Sequence, residues 1–224
     1  LTPSPPPTPP TTFPTGQSPS ASTGGGSIPS PTITPLPTPT PKANDIPVFS
    51  DISKHWAKDD IEYFADQGLI LGDNNKFHPD HSITRSELTA MLVRILGLVK
   101  TKYENCFTDV ASNSWYADDV QTAYDNGMIS GYDFKFRPND NVTRQELAKI
   151  IMSVYTMKLE NNVSEDLQEF SDIDLISDWA KKPVAQVYNL NIMNGIDALH
   201  FSPQDSSTRA QAVVVLKRLK TYLD

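Results

Sequence analysis

The sequence predicts an all-helical fold of three tandem repeats, arranged with pseudo-threefold symmetry and preceded by a disordered linker. The first observation is a phrase that recurs as FHPDHSITRSEL from Phe77, FRPNDNVTRQEL from Phe136 and FSPQDSSTRAQA from Phe201. The second is a stripe of apolar residues at helical spacing, which begins at the last residue of each phrase and continues after it. The third is that 14 of the 19 prolines precede Asn44. Recurrence of this kind is typical of proteins built from copies of one structural unit.

Residues 1–44 are expected to form a spacer and not a folded domain. Stretches such as PSPPPTPPTT and PTITPLPTPTP have almost no apolar side chains to bury, and proline favours an extended conformation. The chain begins at Leu1 without a leader sequence, and no apolar run reaches the roughly 18 residues of a transmembrane helix. We therefore expect the C-terminal part of a longer protein, held away from whatever precedes it.

Three repeats are expected at 45–101, 102–162 and 163–224. Each opens with Phe-x-Asp and then contains one of the chain's three tryptophans. The residues concerned are Phe49, Asp51 and Trp56; Phe107, Asp109 and Trp115; and Phe170, Asp172 and Trp179. A unit of about 60 residues with two short helices buries too little surface to be stable alone. The repeats are therefore expected to pack into one body.

The first helix of each repeat is predicted from apolar residues at i, i+3 and i+4, which share one face. These residues are Ile61, Phe64 and Ala65; Val120, Ala123 and Tyr124; and Val184, Val187 and Tyr188. Each helix is expected to end at a residue that tolerates the left-handed conformation, namely Gly68, Gly127 or Asn191. A loop glycine follows four residues later, at Gly72, Gly131 and Gly195.

The second helix of each repeat begins within the recurring phrase. A Thr followed three residues later by Glu or Gln predicts a capping box, in which the two residues satisfy each other's backbone N–H groups. The pairs are Thr84 with Glu87, Thr143 with Glu146, and Thr208 with Gln211. The apolar stripes are Leu88/Met91/Leu92/Ile95, Leu147/Ile150/Ile151/Val154 and Ala212/Val215/Leu216/Leu219. These stripes are where the three repeats are expected to meet.

Arginine at the first helical position is not explained by capping. Arg85, Arg144 and Arg209 follow the capping threonines, where the positive end of the helix dipole disfavours a cation. One interpretation is an anion site, in which the guanidinium joins exposed helical N–H groups to bind a carboxylate or phosphate. The other is a salt bridge to Asp51, Asp109 or Asp172, or to a loop aspartate.

The tryptophans and loop glycines also have two interpretations each. Trp56, Trp115 and Trp179 either stack on the face of a sugar or fill the core. For Gly72, Gly131 and Gly195 the first expectation is turn geometry, and the second is close approach of the backbone to a ligand. The residues alone leave both questions open.

Composition and spacing argue against several functions. The net charge of −8 provides no basic surface for nucleic acid or anionic membranes. Cys106 is the single cysteine, which excludes an internal disulfide, and we expect it to be buried. The four histidines have no shared spacing, and Asp73-Asn74-Asn75 lacks the alternating oxygen ligands of a calcium loop. No cofactor or metal is expected.

Catalysis is not expected either. Glycoside hydrolysis needs two carboxylates, and Glu87 and Glu146 would have to supply them. The third copy has Gln211 at this position, which keeps the cap but removes a proton donor. The substitution therefore fits a structural role.

Three units with Phe-x-Asp, Trp, a glycine loop, Phe-x-Pro and Thr-Arg-x-Glu resemble S-layer homology domains, over residues 45–224. The resemblance implies a spindle with a central three-helix bundle, and noncovalent anchoring of a surface protein to a Gram-positive-type cell wall. It further implies that secondary cell-wall polysaccharide carrying ketal-linked pyruvate binds in grooves between repeats. Arg85, Arg144 and Arg209 would contact the pyruvate carboxylate. Asp51, Asp109 and Asp172 would bind sugar groups or orient arginine, the tryptophans would line the grooves, and the loop glycines would offer backbone contacts.

The third repeat departs from the pattern at Gln211 and Asn191, so its groove is expected to bind differently or not at all. Two competing hypotheses are a protein-interaction or self-assembly module of the S-layer, and a wall hydrolase. A monomer without membrane insertion is expected, because three units that close on one another leave no unit unpaired.

Overall fold

Each repeat contributes two helices to the part of the chain that the computed structural model describes, residues 49–159, 162–167 and 170–224. The helices are α1 Lys58–Ala65, α2 Arg85–Ile95, α3 Ala117–Asp125, α4 Arg144–Lys158, α5 Asp178–Asn189 and α6 Arg209–Leu223, with a short 3-10 helix at Ile173–Leu175. Within these described ranges there are isolated backbone bridges but no strand. The linker predicted for residues 1–44 lies outside them.

The first helices, α1, α3 and α5, bury the predicted face. Ile61, Phe64, Val120, Ala123 and Val184 are fully buried. The left-handed ends are confirmed, since Gly68, Gly127 and Asn191 have φ angles of 68°, 68° and 53°. Two residues of the pattern differ. Tyr188 is only partly buried, and Tyr124 is 38% exposed, with its ring edge-on to Phe107 at the margin of the core.

The second helices, α2, α4 and α6, all begin with complete capping boxes, as predicted. In each box the threonine hydroxyl accepts from the N3 backbone N–H, and the N3 Glu or Gln accepts from the threonine N–H. Such a cap contributes about 1 kcal/mol. The predicted apolar stripes are buried in all three helices, except that Ile95 is only partly buried.

The repeats interlock in a cycle. The first helix of each repeat packs against the second helix of the preceding repeat: α3 on α2, α5 on α4, and α1 on α6. The helices α4 and α6 also contact each other. At their C-terminal ends all three second helices line one cavity of about 170 Å³, bordered by Leu92, Lys158 and Leu216 among others. The second helices thus form the predicted central bundle, and the first helices join neighbouring repeats around it.

A ring of backbone hydrogen bonds precedes the second helices. Ile83 N donates to Ser207 O (2.9 Å), Ser207 N donates to Val142 O (2.8 Å), and Val142 N donates to Ile83 O (3.0 Å). All three residues are fully buried. Because each repeat both donates and accepts once, the ring closes with pseudo-threefold symmetry.

Two further features concern individual predictions. Cys106 is only partly buried, packed against the edge of the core, and burial raises the pKa of its thiol. None of the helices in the described ranges is long and apolar enough to span a membrane.

Candidate functional site

Each of the three arginines reaches across to the next repeat. Its guanidinium donates to the carbonyl of the Phe-x-Pro phenylalanine and to the carbonyl of the residue before the loop glycine. We call each of these three places a seam and name it by its arginine. In the Arg85 seam the acceptors are Phe136 O (2.8 Å) and Ser130 O (3.2 Å). In the Arg144 seam they are Phe201 O and Asn194 O (2.7 Å each), and in the Arg209 seam they are Phe77 O (2.9 Å) and Leu71 O (3.0 Å). The seams repeat the cyclic order of the helix packing.

The guanidinium groups are held firmly. Arg85, Arg144 and Arg209 are 8%, 7% and 8% exposed, and each lies over the ring of the phenylalanine whose carbonyl it contacts, 4.6–5.1 Å from the centroid. Burial lowers the pKa of each arginine, because the charged form loses hydration. Arginine still remains protonated at neutral pH, so each seam holds a fixed positive charge.

The second interpretation, an Arg–Asp salt bridge, is not realised within the described residues. Instead, Arg209 Nη1 lies 3.1 Å from Glu87 Oε1, and Arg85 Nη1 lies 3.7 Å from Glu146 Oε1. Both glutamates are the N3 residues of capping boxes in the neighbouring repeat, so one carboxylate caps a helix and balances an arginine. In the Arg144 seam the corresponding N3 residue is Gln211.

The interpretation that exposed helical N–H groups join the arginines is wrong. Arg85 N donates to Asp140 O and Ser86 N donates to Pro138 O, both at 3.0 Å. The N3 amide is taken by the capping threonine. The other two helices repeat these contacts, from Arg144 N, Gln145 N, Arg209 N and Ala210 N. The first-turn amides are therefore occupied by the adjacent repeat, and an anion would have to bind to the side chains.

The predicted aspartates act on the arginines through the backbone. Asp51 accepts from Phe77 N (2.9 Å) and His78 N (2.8 Å), and the Phe77 carbonyl in turn accepts from Arg209. Asp109 and Asp172 make the equivalent pairs of bonds. Burial alone raises the pKa of Asp51, but its backbone donors outweigh that effect and hold the pKa below its usual range.

These aspartates also stabilise an unusual backbone. The residue between Phe and Pro is left-handed in every repeat, with φ angles of 57°, 59° and 56° at His78, Arg137 and Ser202. A non-glycine residue in this region costs about 1 kcal/mol or more. Two hydrogen bonds that each aspartate accepts from backbone N–H groups fix the peptide that carries the arginine-binding carbonyl.

The loop glycines are required by close approach and not by a left-handed backbone. A Cβ added at Gly72 would collide with the Lys76 carbonyl and the Phe49 ring, and Gly131 and Gly195 are enclosed in the same way. The phenylalanine of Phe-x-Asp therefore packs directly on each glycine. This packing places the preceding carbonyl, such as Leu71 O, against the arginine.

The tryptophans lie on the surface, which excludes the interpretation that they fill the core. Trp56, Trp115 and Trp179 are 66%, 64% and 39% exposed. At the Arg209 seam a groove of about 570 Å³ brings together Gly72 and Glu87 of the first repeat, Trp115 of the second and Arg209 of the third. Predicted arginine, glycine and tryptophan positions from all three repeats thus meet at one groove.

Sequence reasoning missed two features of this groove. His78 and His81 line it with stacked rings, 4.8 Å between centroids, although the histidines lack a repeated spacing. Glu87 was assigned only to the helix cap. The signal for its second role was that a carboxylate has two oxygens and a cap uses one. No cluster of metal-binding side chains occurs in the part of the chain that is described.

Comparison with known proteins identifies the unit. A model of the S-layer homology domain matches residues 48–89, 107–148 and 169–213, together more than half of the chain. The chain belongs to the S-layer homology domain family. S-layer homology domains are non-catalytic modules that anchor proteins to the cell wall. The chain is accordingly a cell-surface, wall-associated segment from a Gram-positive-type bacterium.

The S-layer homology triplet occurs in relatives of different kinds. An amylopullulanase from Thermoanaerobacterium thermosulfurigenes is 38% identical over 75% of this chain and 9% of its own length. Exoglucanase XynX from Acetivibrio thermocellus is 37% identical over 75% of this chain and 16% of its own. A surface-layer 125 kDa protein from Lysinibacillus sphaericus is 30% identical over 79% of this chain and 15% of its own length. The chain thus spans less than a fifth of each relative, and what is shared is the module.

Proposed function

We propose that this module anchors its protein by binding secondary cell-wall polysaccharide that carries ketal-linked pyruvate, with the sugar lying in the grooves at the seams. The observation that carries the proposal is the ring of three buried guanidinium groups, one per seam, each fixed by two backbone carbonyls. A guanidinium suits a carboxylate because its planar donors match the two oxygens. A prepositioned guanidinium also loses little conformational entropy on binding.

The residues have distinct proposed roles. Arg85, Arg144 and Arg209 contact the pyruvate carboxylate. Trp56, Trp115 and Trp179 offer exposed aromatic faces to the C–H faces of sugar rings. Asp51, Asp109 and Asp172 orient the arginines through the phenylalanine carbonyls. Gly72, Gly131 and Gly195 allow the loop backbone to approach both the arginine and the sugar.

The groove at the Arg209 seam has a suitable size and chemistry. Its volume of about 570 Å³ lies within the roughly 300–1,000 Å³ of small-ligand sites. It combines an exposed indole with charged and hydroxyl groups, among them Glu87, Thr84 and Arg94. Sugars are recognised by this combination, because they present apolar C–H faces and polar hydroxyl edges.

The test is calorimetric titration of the 224-residue chain with purified pyruvylated wall polysaccharide, before and after mild acid removes the pyruvate. We expect tight binding that is largely lost when the pyruvate is removed. Equal binding to both polymers would contradict carboxylate recognition. In parallel, walls treated with protease should capture the chain as well as untreated walls do; loss of capture would indicate a protein partner and a self-assembly function.

We also propose that the module acts as a monomer. The seams close in a cycle within one chain, from Arg85 to the second repeat, from Arg144 to the third and from Arg209 back to the first. No seam therefore requires a residue of a second copy. Sedimentation equilibrium over a hundredfold range of concentration should give a constant monomer mass, and a mass that rises with concentration would contradict the proposal.

A further inference from the structure

The three seams differ in how their buried charge is balanced. In the Arg209 seam Glu87 lies 3.1 Å from the guanidinium. In the Arg85 seam Glu146 lies 3.7 Å from Arg85 and 3.9 Å from a second, half-exposed arginine, Arg137. The Glu87 carboxylate thus serves one arginine, whereas the Glu146 carboxylate is shared between two.

The Arg144 seam has no such carboxylate. Arg144 is 7% exposed and makes no ion pair with any residue in the described ranges, although both of its carbonyl contacts are short, 2.7 Å each. The acidic residues that act on it are the more distant Asp205 and Asp172. A buried cation without a close countercharge is costly, and a bound anion relieves that cost.

The missing charge follows from one residue. Gln211 Oε1 accepts from Thr208 N at 3.1 Å, just as Glu87 Oε2 accepts from Thr84 N at 2.9 Å. The second oxygen of Glu87 is the one that contacts Arg209. In Gln211 the second atom is an amide nitrogen, which donates hydrogen bonds and cannot accept one from arginine. The helix cap is kept while the countercharge is removed.

We propose that the Arg144 seam carries most of the carboxylate-dependent affinity of the module. The inference rests on the proposed function, and it ranks the seams as Arg144, then Arg85, then Arg209. An incoming carboxylate at the Arg209 seam would lie close to Glu87 and be repelled by it. At the Arg144 seam the same carboxylate meets a neutral amide that donates, so attraction to the guanidinium is not offset.

The decisive variant is Gln211→Glu, which gives the third repeat the capping residue of the other two. We expect binding to pyruvylated wall polysaccharide to weaken about tenfold, as a like charge a few ångströms away implies. Residual binding to the acid-treated polymer should not change. The melting temperature should stay level or rise, because Arg144 gains an internal partner, so weaker binding could not be attributed to misfolding.

The matched control is Glu87→Gln, which makes the Arg209 seam resemble the Arg144 seam. Binding to the pyruvylated polymer should become about threefold tighter, because the charge that repels the incoming carboxylate is removed. If Gln211→Glu binds as tightly as the unaltered chain, the inference is overturned while the proposed function stands. If the unaltered chain does not distinguish pyruvylated from acid-treated polymer, both fail.

Discussion

Arg209 Nη1 donates to Glu87 Oε1 at 3.1 Å, although the two residues lie 122 positions apart. This contact joins the last repeat to the first and closes the cycle that Arg85 and Arg144 begin. In a linear array each repeat contacts only its neighbours, and the terminal repeats have free faces. Here every repeat has two partners, so we expect the described body to unfold as one cooperative unit.

Replacement of Arg209 by alanine should therefore be strongly destabilising. The substitution removes donors from Phe77 O, Leu71 O and Glu87, and the carbonyls are left without a partner in a buried seam. We expect the free energy of unfolding to fall by about 2–4 kcal/mol, measured by urea denaturation.

The matched control for this prediction is Arg137→Ala. Arg137 is about half exposed, and its ion-pair distances are 3.9 Å. Its replacement should cost less than about 1 kcal/mol. Equal losses for the two variants would mean that the seams do not contribute to stability.

The helices and their caps could be predicted because their determinants are local. Thr84 and Glu87 are three residues apart, and the φ preference of Gly68 is a property of that residue alone. The seams could not be predicted in this way, because each arginine contacts carbonyls of another repeat. Since the three repeats are similar, the sequence does not reveal which repeat supplies them. The same ambiguity concealed the packing of α1 on α6, because an apolar face indicates burial but not against which neighbour.

Ser207 shows the limit in another way. At the positions of Ile83 and Val142 the third repeat has serine, and its hydroxyl has no hydrogen-bond partner in the described structure. Its position beside a capping threonine suggests a loop residue, whereas the fold places it in a closed ring of buried backbone. Alignment with Ile83 and Val142 indicates an apolar position, and the cyclic arrangement supplies the reason, because all three residues lie in the buried ring.

Ser207→Val should consequently stabilise the protein. The change removes a buried, unsatisfied hydroxyl and adds the side chain that Val142 already has in the same ring. We expect a gain of about 1–2 kcal/mol in the free energy of unfolding. The gain is smaller if residue 207 has less space around its side chain than Val142 has. The reciprocal variant Val142→Ser should lose about 1–3 kcal/mol. Stabilisation by both variants, or by neither, would contradict the conclusion that position 207 lies in an apolar ring.

The loop glycines allow a sharper steric test. Gly72→Ala would press a Cβ against the Lys76 carbonyl and the Phe49 ring, so the loop or the core must move. We expect a loss of about 2–4 kcal/mol in the free energy of unfolding.

The control is Gly68→Ala, where no atom lies within 4 Å of the added Cβ but φ is +68°. Only backbone strain should be felt there, at about 1 kcal/mol. If Gly72→Ala were as mild as Gly68→Ala, close packing would not be the reason for the glycine.

The pH dependence of stability should report on Asp51. Its folded-state pKa is depressed, so its contribution is fully present above the unfolded value of about 3.9 and is lost as pH falls through the folded value. Asp51→Asn should lower the melting temperature at pH 7 by about 3–6 °C. The difference between the two proteins should shrink steadily below about pH 4. A difference that stays constant down to pH 2 would show that the charge of Asp51 makes no contribution.

Trp115 should separate binding from stability. Because its indole is 64% exposed at the rim of the Arg209 seam, Trp115→Ala should change the free energy of unfolding by no more than about 0.5 kcal/mol. Loss of an aromatic face against sugar should weaken binding to the wall polysaccharide about threefold to tenfold. Since a sugar face is uncharged, the loss should be proportionally the same for pyruvylated and acid-treated polymer wherever both binding constants can be measured. Leu175→Ala, at a 60% exposed side chain outside the predicted sites, should change neither quantity. If Trp115→Ala bound as tightly as the Leu175 variant, the exposed tryptophan at this seam would not contact the ligand.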